Sequence, residues 1–204
     1  MKRLVLSVVV LLVAVTTTFA QEQGKIRVSL DLGYSIPSDG GGGGVAIYLE
    51  PKYNLKDNMS VGIRLGSAAL VKNFKNTASG DEFKGEIAAN NSYMATFDYH
   101  FNGSGSSFVP YVGGGLGYVT VANIDVKSRT SSGAVSTLEL EAGGKFGGMI
   151  RAGFEWAKFR MGVDFNIIPE SDLENLNGDT VGSAKNSYIG ISLGFFVGGG
   201  KWGR

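Results

Sequence analysis

The sequence predicts an all-β fold: an eight-stranded, antiparallel, up-and-down transmembrane β-barrel. Three observations carry that expectation. Apolar and polar residues alternate with period two in eight separate stretches, the signature of strands with one apolar face. The connections between these stretches alternate between short and long, as in barrels with tight turns at one membrane surface and long loops at the other. The residues opposite the apolar set are small and polar with sparse charges, which suits a narrow lumen better than a solvated surface.

The first strand, 26–36, reads "IRVSLDLGYSI", with Ile26, Val28, Leu30, Leu32, Tyr34 and Ile36 opposite Arg27, Ser29, Asp31, Gly33 and Ser35. After the glycine-rich "PSDGGGGG" a second strand covers about 44–55, with Val45, Ile47, Leu49 and Tyr53 opposite Glu50 and Lys52. Pro51 weakens its ladder and suits a strand end or bulge. A tight turn leads to the third strand, about 59–70, in which Met59, Val61, Ile63 and Leu65 oppose Ser60, Gly62, Arg64 and Gly66. Residues 71–90 read as a long polar connection.

The fourth strand, about 91–101, sets Tyr93, Ala95, Phe97, Tyr99 and Phe101 against Ser92, Met94, Thr96, Asp98 and His100. The fifth begins "FVPYVGGGLGYVTV" at Phe108, and either parity of it could be the apolar one. A second long connection, 123–140, precedes the sixth strand, about 144–156. There Phe146, Ile150, Ala152, Phe154 and Trp156 oppose Lys145, Gly147, Met149, Arg151, Gly153 and Glu155. A two-residue turn leads to the seventh, with Phe159, Met161, Val163, Phe165 and Ile167 against Arg160, Gly162, Asp164 and Asn166. A third long connection, 169–186, precedes "SYIGISLGFFV", whose apolar set is Ile189, Ile191, Leu193, Phe195 and Val197.

The N-terminus, "MKRLVLSVVVLLVAVTTTFAQ", carries Lys2 and Arg3, a short apolar run and small residues at Thr18 and Ala20. That arrangement predicts a secretory signal peptide over 1–20, with the barrel domain over 21–204. The apolar run is well short of the ~20 residues of a spanning helix. The chain contains no Cys, which excludes disulfides, thiol catalysis and lipid attachment at the cleavage point. A net charge of +1 gives no electrostatic case for nucleic acid. Glycine, at 32 of 204 residues, is about twice its usual ~7%.

The polar faces hold five cations and five anions: Arg27, Lys52, Arg64, Arg151 and Arg160 against Asp31, Glu50, Asp98, Glu155 and Asp164. A sealed lumen needs such a balance, because an unpartnered buried charge is costly. These ten residues form the expected lumen charge network. Aromatics on the apolar face, Tyr53, Phe101, Phe108, Trp156 and Phe159, gather beside the short turns, where an interfacial girdle belongs.

"FVPYVGGGLGYV" (108–119) resembles the Pro-Tyr-Val-Gly-x-Gly-x-Gly-Tyr strand of small outer-membrane barrels, the families of outer-membrane protein X and of the barrel half of outer-membrane protein A. With the signal and the eight strands, the resemblance covers essentially all of 21–204. It implies location in a bacterial outer membrane, and delivery by periplasmic chaperones and the barrel-assembly machinery. With a single barrel read over 21–204, the peptidoglycan-binding domain of the protein A type is not expected. The family closes on an aromatic last residue, whereas this chain runs "FFVGGGKWGR", leaving Phe195, Phe196 or Trp202 for that role.

Candidate chemistry is sparse. His100, the only histidine, sits on the polar face before a short turn, far from outer-leaflet lipid, and reads as a lumen or rim residue. The glycine runs at 40–44, 113–115 and 143–145 do not continue into a phosphate loop. The acidic run 169–180 carries Glu170, Asp172, Glu174 and Asp179 without calcium-loop spacing. No catalytic, metal or cofactor site is expected. The expected role is a monomeric, lipid-embedded structural platform at the cell surface. Loops 71–90, 123–140 and 169–186 would meet a protein or glycan, and Lys72, Phe74, Lys75 and Phe83 stand in the first of them. The alternatives are a small pore for ions or solutes, and a secreted soluble lipocalin-like barrel with its faces inverted.

Overall fold

The computed structural model describes residues 22–38, 40, 42–76, 82–101, 107–121, 124–129, 135–140, 144–174 and 180–200, with side chains except over 72–88, 121–140 and 171–184. Residues 1–20, read as a signal peptide, lie outside the described residues, as does Trp202.

Among the described residues there are twelve strands: β1 (Ile26–Pro37), β2 (Gly43–Lys56), β3 (Met59–Asn76), β4 (Glu82–His100), β5 (Phe108–Val121), β6 (Ile124–Arg129), β7 (Val135–Leu140), β8 (Lys145–Trp156), β9 (Phe159–Ile167), β10 (Ser171–Glu174), β11 (Thr180–Ala184) and β12 (Tyr188–Gly198). Eight of them close into an antiparallel barrel in the order β1-β2-β3-β4-β5-β8-β9-β12, with β12 returning to β1. The other four form two hairpins. Among the described residues β6 pairs only with β7, whereas β10–β11 joins the barrel sheet through two register pairs, Gly182 with Asn76 and Ser183 with Lys75.

The register fixes the shape. From Arg27 the pairing runs through Lys52, Gly62, Thr96, Gly115, Met149, Asn166 and Tyr188, and returns to β1 at Pro37. The walk comes back ten residues further along its starting strand, and such a stagger tilts strands by roughly 35–45°. Because the shift is even, a residue facing inward stays on the inward face all the way round.

The long connections differ from their sequence reading. Residues 71–90 are mostly strand: β3 continues to Asn76, β4 starts at Glu82, and Val71 pairs with Ile87 and Lys72 with Glu86. The stretches 123–140 and 169–186 likewise contain the β6–β7 and β10–β11 hairpins. Their mixed composition hides them. A strand beyond the bilayer can be wet on both faces, so it needs no apolar alternation, only backbone pairing.

The fifth strand, whose parity the residues left open, points Val109, Tyr111 and Val119 inward and Phe108, Val112, Leu116 and Tyr118 outward. The lumen is also less uniformly polar than its sequence reading. Its half nearer the long hairpins holds a packed apolar cluster of Ala46, Tyr48, Ala68, Leu70, Met94, Val119, Met149, Ile168 and Tyr188. Charge is concentrated in the other half, nearer the short turns.

Candidate functional site: the sealed lumen and its surroundings

Each inward charge is placed by strand alternation, and all ten residues of the expected network are buried. At the centre, Arg151 on β8 makes a two-pronged contact with Glu50 on β2, at 2.6 and 3.0 Å. The same guanidinium donates to both oxygens of Asp98 on β4, at 2.7 and 2.9 Å. Lys52 contacts Asp98 and lies 3.2 Å from Glu50, while Thr96 Oγ1 donates to Glu50 at 2.7 Å. Arg160 completes the cluster, 3.3 Å from Glu50, 3.8 Å from Asp31 and donating to Tyr111 Oη at 2.8 Å. Three cations thus meet three anions, the arrangement a low-dielectric interior requires.

Two smaller groups flank this centre. Toward the short turns, Arg27 Nη1 donates to both Glu155 oxygens, at 2.9 and 2.8 Å, and Arg27 Nη2 donates to His100 Nε2 at 3.1 Å. Arginine has no acceptor, so the His100 Nε2 lone pair is engaged. His100 is 1% exposed. Toward the long hairpins, Arg64 pairs with Asp164 at 3.0 Å and stacks 3.7 Å over the Tyr48 ring, which joins the charged half to the apolar half.

Glycine makes these pairings possible. Gly113 on β5 sits in register between Asp98 and Arg151, so the two side chains meet across a strand that offers none. A Cβ at Gly113 would overlap the Asp98 carboxylate. Gly194 plays the same part between Asp31 and Arg160. Part of the glycine excess therefore has a lumen explanation: partners lie two strands apart, and the strand between must be bare.

The outward face is the reverse. All eight barrel strands expose large apolar side chains, and the outward positions of β1, β5, β8, β9 and β12 carry no charge. Tyr53, Phe101, Phe108, Trp156 and Phe159 ring the short-turn end; Tyr34, Tyr118 and Phe146 stand toward the other. Ten residues of β8 separate Phe146 from Trp156. At ~3.3 Å per residue and ~40° of tilt that is about 25 Å, the height of a barrel's lipid band. A soluble monomer does not expose an apolar belt around its whole girth. The protein is a transmembrane β-barrel.

One of the solved structures compared superposes closely enough to bear on the fold. The outer membrane protein OprG from Pseudomonas aeruginosa superposes with a TM-score of 0.58 at 15% identity, over 87% of this chain and 97% of its own. Neisserial surface protein A gives 0.49 at 15% identity, over 85% and 95%. The outer membrane enzyme PagL gives 0.43 at 17% identity, over 84% and 98%. At such identities the likeness to OprG establishes a shared fold: that of small bacterial outer-membrane barrels. No protein-family model matches the chain, and no curated protein matches it in sequence.

The remaining sequence candidates are placed as follows. Gly43 and Gly44 of the first glycine run begin β2, and 113–115 lie within β5. Asp172 and Glu174 fall on β10 and Glu170 is exposed, while Asp179 lies outside the described residues. The side chains of Lys72, Phe74, Lys75 and Phe83 are likewise outside the described residues; their backbones belong to the β3–β4 hairpin. The apolar half of the lumen was missed in the sequence, although Tyr48, Leu70, Met94 and Tyr188 all have inward parity.

A filled interior has a direct electrical consequence. Planar-bilayer recordings of the wild type should show at most small, erratic currents, because eight strands leave only enough space for side chains. Arg64→Ala, which removes the group joining the two halves, should raise the conductance above the parent's. Steady, large, salt-proportional openings in the wild type would favour a pore.

Proposed function

We propose that this chain is a monomeric structural platform of the bacterial outer membrane, not an enzyme, and that it acts through the hairpins at one end. The single observation that carries this reading is the contrast between the barrel's two ends. One end has the short turns at Asp57–Asn58 and Ala157–Lys158; at the other, β3 and β4 run to 18 and 19 residues and two further hairpins form. About 9–11 residues suffice for a tilted strand to cross a bilayer, so β3 and β4 rise well beyond it. With the long hairpins at the cell surface, the short turns and both barrel termini face the periplasm.

Burial of His100 among Arg27 and Glu155, toward the periplasmic side, supports the non-catalytic reading. The filled lumen supports surface contact in preference to transport. In this reading 1–20 direct export and are removed, and periplasmic chaperones and the assembly machinery deliver the rest. The hairpins then meet a protein or glycan.

The test is to trim the surface while sparing the barrel. Residues 73–85, 123–141 and 171–184 would each be replaced by a short Gly-Ser turn, the first joining the paired positions Lys72 and Glu86. The trimmed barrel should keep its heat-dependent shift on gels, since its lumen network and lipid face are intact. It should fail to restore the adhesion or envelope phenotype of a deletion strain. Full complementation by the trimmed barrel would contradict the proposal and leave a membrane-filling role.

A further inference from the structure

The segments that flank the barrel strands fold across its short-turn mouth. A glycine run with no part in the charge network, "VGGGK" at 197–201, ends β12 and follows it. Gly198, Gly199 and Gly200 take φ values of +81°, +86° and +89°, a left-handed conformation that L side chains rarely adopt. Their curl lays Gly199 against the lumen, where a Cβ would stand 3.3 Å from both Cβ and Cδ of buried Arg27. The Gly199 amide donates back to the Ile26 carbonyl at 3.0 Å. Lys158, from the turn between β8 and β9, donates to the Gly198 carbonyl at 2.9 Å.

The stretch before β1 comes to meet this curl. Gly24, also left-handed at φ +77°, turns residues 22–25 back, and the Glu22 amide donates to the Gly199 carbonyl. One side chain pins both segments. Asn54, near the end of β2 and fully buried, donates from Nδ2 to the carbonyls of Glu22 and Gly199, each at 3.0 Å. Its own carbonyl accepts from the Gly24 amide at 2.8 Å, and Asp57 accepts from the Gln23 amide at 2.8 Å. Strand β1 runs between β2 and β12, so the Asn54 clamp spans the seam at which the last strand meets the first.

We infer that 22–25 and 198–200 form a lid over this mouth of the lumen, pinned by Asn54, which opens as a unit while the barrel stays closed. What holds the lid differs from what holds the wall. The strands are bound by continuous ladders and by burial, whereas the lid hangs on a few hydrogen bonds, and Gln23, Gly24 and Lys25 are exposed. Segments with few apolar contacts open locally at lower free energy than the whole fold. Ordering glycine also costs more backbone entropy than ordering any other residue, which favours release. Behind the lid lie Arg27, Glu155 and His100, so its opening admits water to that group ahead of the central cluster. The inference rests on the closed barrel alone, not on which membrane surface the short turns face.

Thiol labelling tests it, since the chain has no cysteine of its own. Ser60 pairs in register with Asn54 and is 1% exposed. Its Oγ makes no hydrogen bond among the described residues, so Ser60→Cys reports on the space behind the lid at little cost. Ser35→Cys, likewise buried but at the far end of the lumen, is the control. Each would be labelled in the full barrel in detergent with a small charged methanethiosulfonate, and the rate read by mass. Asn54→Ala should speed labelling at position 60 roughly tenfold, as the loss of two ordinary hydrogen bonds allows, and leave position 35 unchanged. Gly199→Val, which keeps Asn54 but is strained at a φ of +86°, should do the same. A heat-dependent gel shift confirms that each variant is folded. In the wild type, with no substitution at all, the Glu22, Gly24 and Gly199 amides should exchange with deuterium together, and roughly tenfold or more faster than the amides of β1. Equal labelling at position 60 with and without Asn54→Ala, or an equal rise at position 35, would overturn the inference. So would lid amides that exchange only as slowly as the β1 ladder.

Discussion

Arg151→Met is expected to destabilise the barrel by about 3–5 kcal/mol, the usual cost of removing one partner from a buried ionic cluster. Arg151 is the hub of the lumen, with four donor contacts to Glu50 and Asp98 on two different strands. Methionine fills similar space but leaves three carboxylates facing Lys52 and Arg160 alone. The adjoining Gly113 offers no side chain to compensate. Urea unfolding in bilayers, followed by the heat-dependent gel shift, measures the loss. Adding Asp98→Asn should recover a substantial part of it, because the charge count is then balanced again. A single substitution that costs less than about 1 kcal/mol, the range of exposed ion pairs, would show that the lumen is wet and the cluster screened.

The outward face of this barrel was legible in the sequence because lipid imposes a strict rule on every second residue. Strands β1, β9 and β12 obey it along their whole lengths. Strand β5 did not disclose its parity, since Val109, Tyr111 and Val119 are as apolar as Phe108, Val112 and Leu116. Register decides it, by setting Gly113 between Asp98 and Arg151. Membership of the charge network follows from parity alone, but the partners do not. Arg27 and Glu155 are 128 residues apart, and they meet only because the barrel closes and the stagger brings them level.

The apolar half of the lumen was obscured for a related reason. Met94, Met149 and Tyr188 each stand between polar residues or glycine in the inward-facing set, and Tyr48 and Leu70 adjoin outward apolar residues, so none of them marks an inward apolar patch in the sequence. Closure collects them into one cluster. The hairpins above the membrane were hidden because their strands answer to neither lipid nor lumen. Lys72 pairs in register with Glu86, and Lys75 with Glu82. Such positions look like loop in composition and are held as strand by the backbone.

The central claim, that the apolar face meets lipid and the polar face lines a closed lumen, is tested most directly by two adjacent substitutions on β12. Ile191 points outward and is 41% exposed, whereas Ser192 points inward and is 8% exposed. An arginine at a lipid-facing position near the bilayer midplane costs about 2–4 kcal/mol. An arginine at 192 has room, because its register neighbours on either side are Gly33 and Gly162. Acceptors are at hand in Asp31 and Asp164, each two positions from one of these glycines. Urea unfolding of Ile191→Arg and Ser192→Arg in bilayers of the same lipid should therefore show the larger loss for Ile191→Arg. If Ser192→Arg proved the more damaging of the two, the faces would be inverted and the transmembrane assignment wrong.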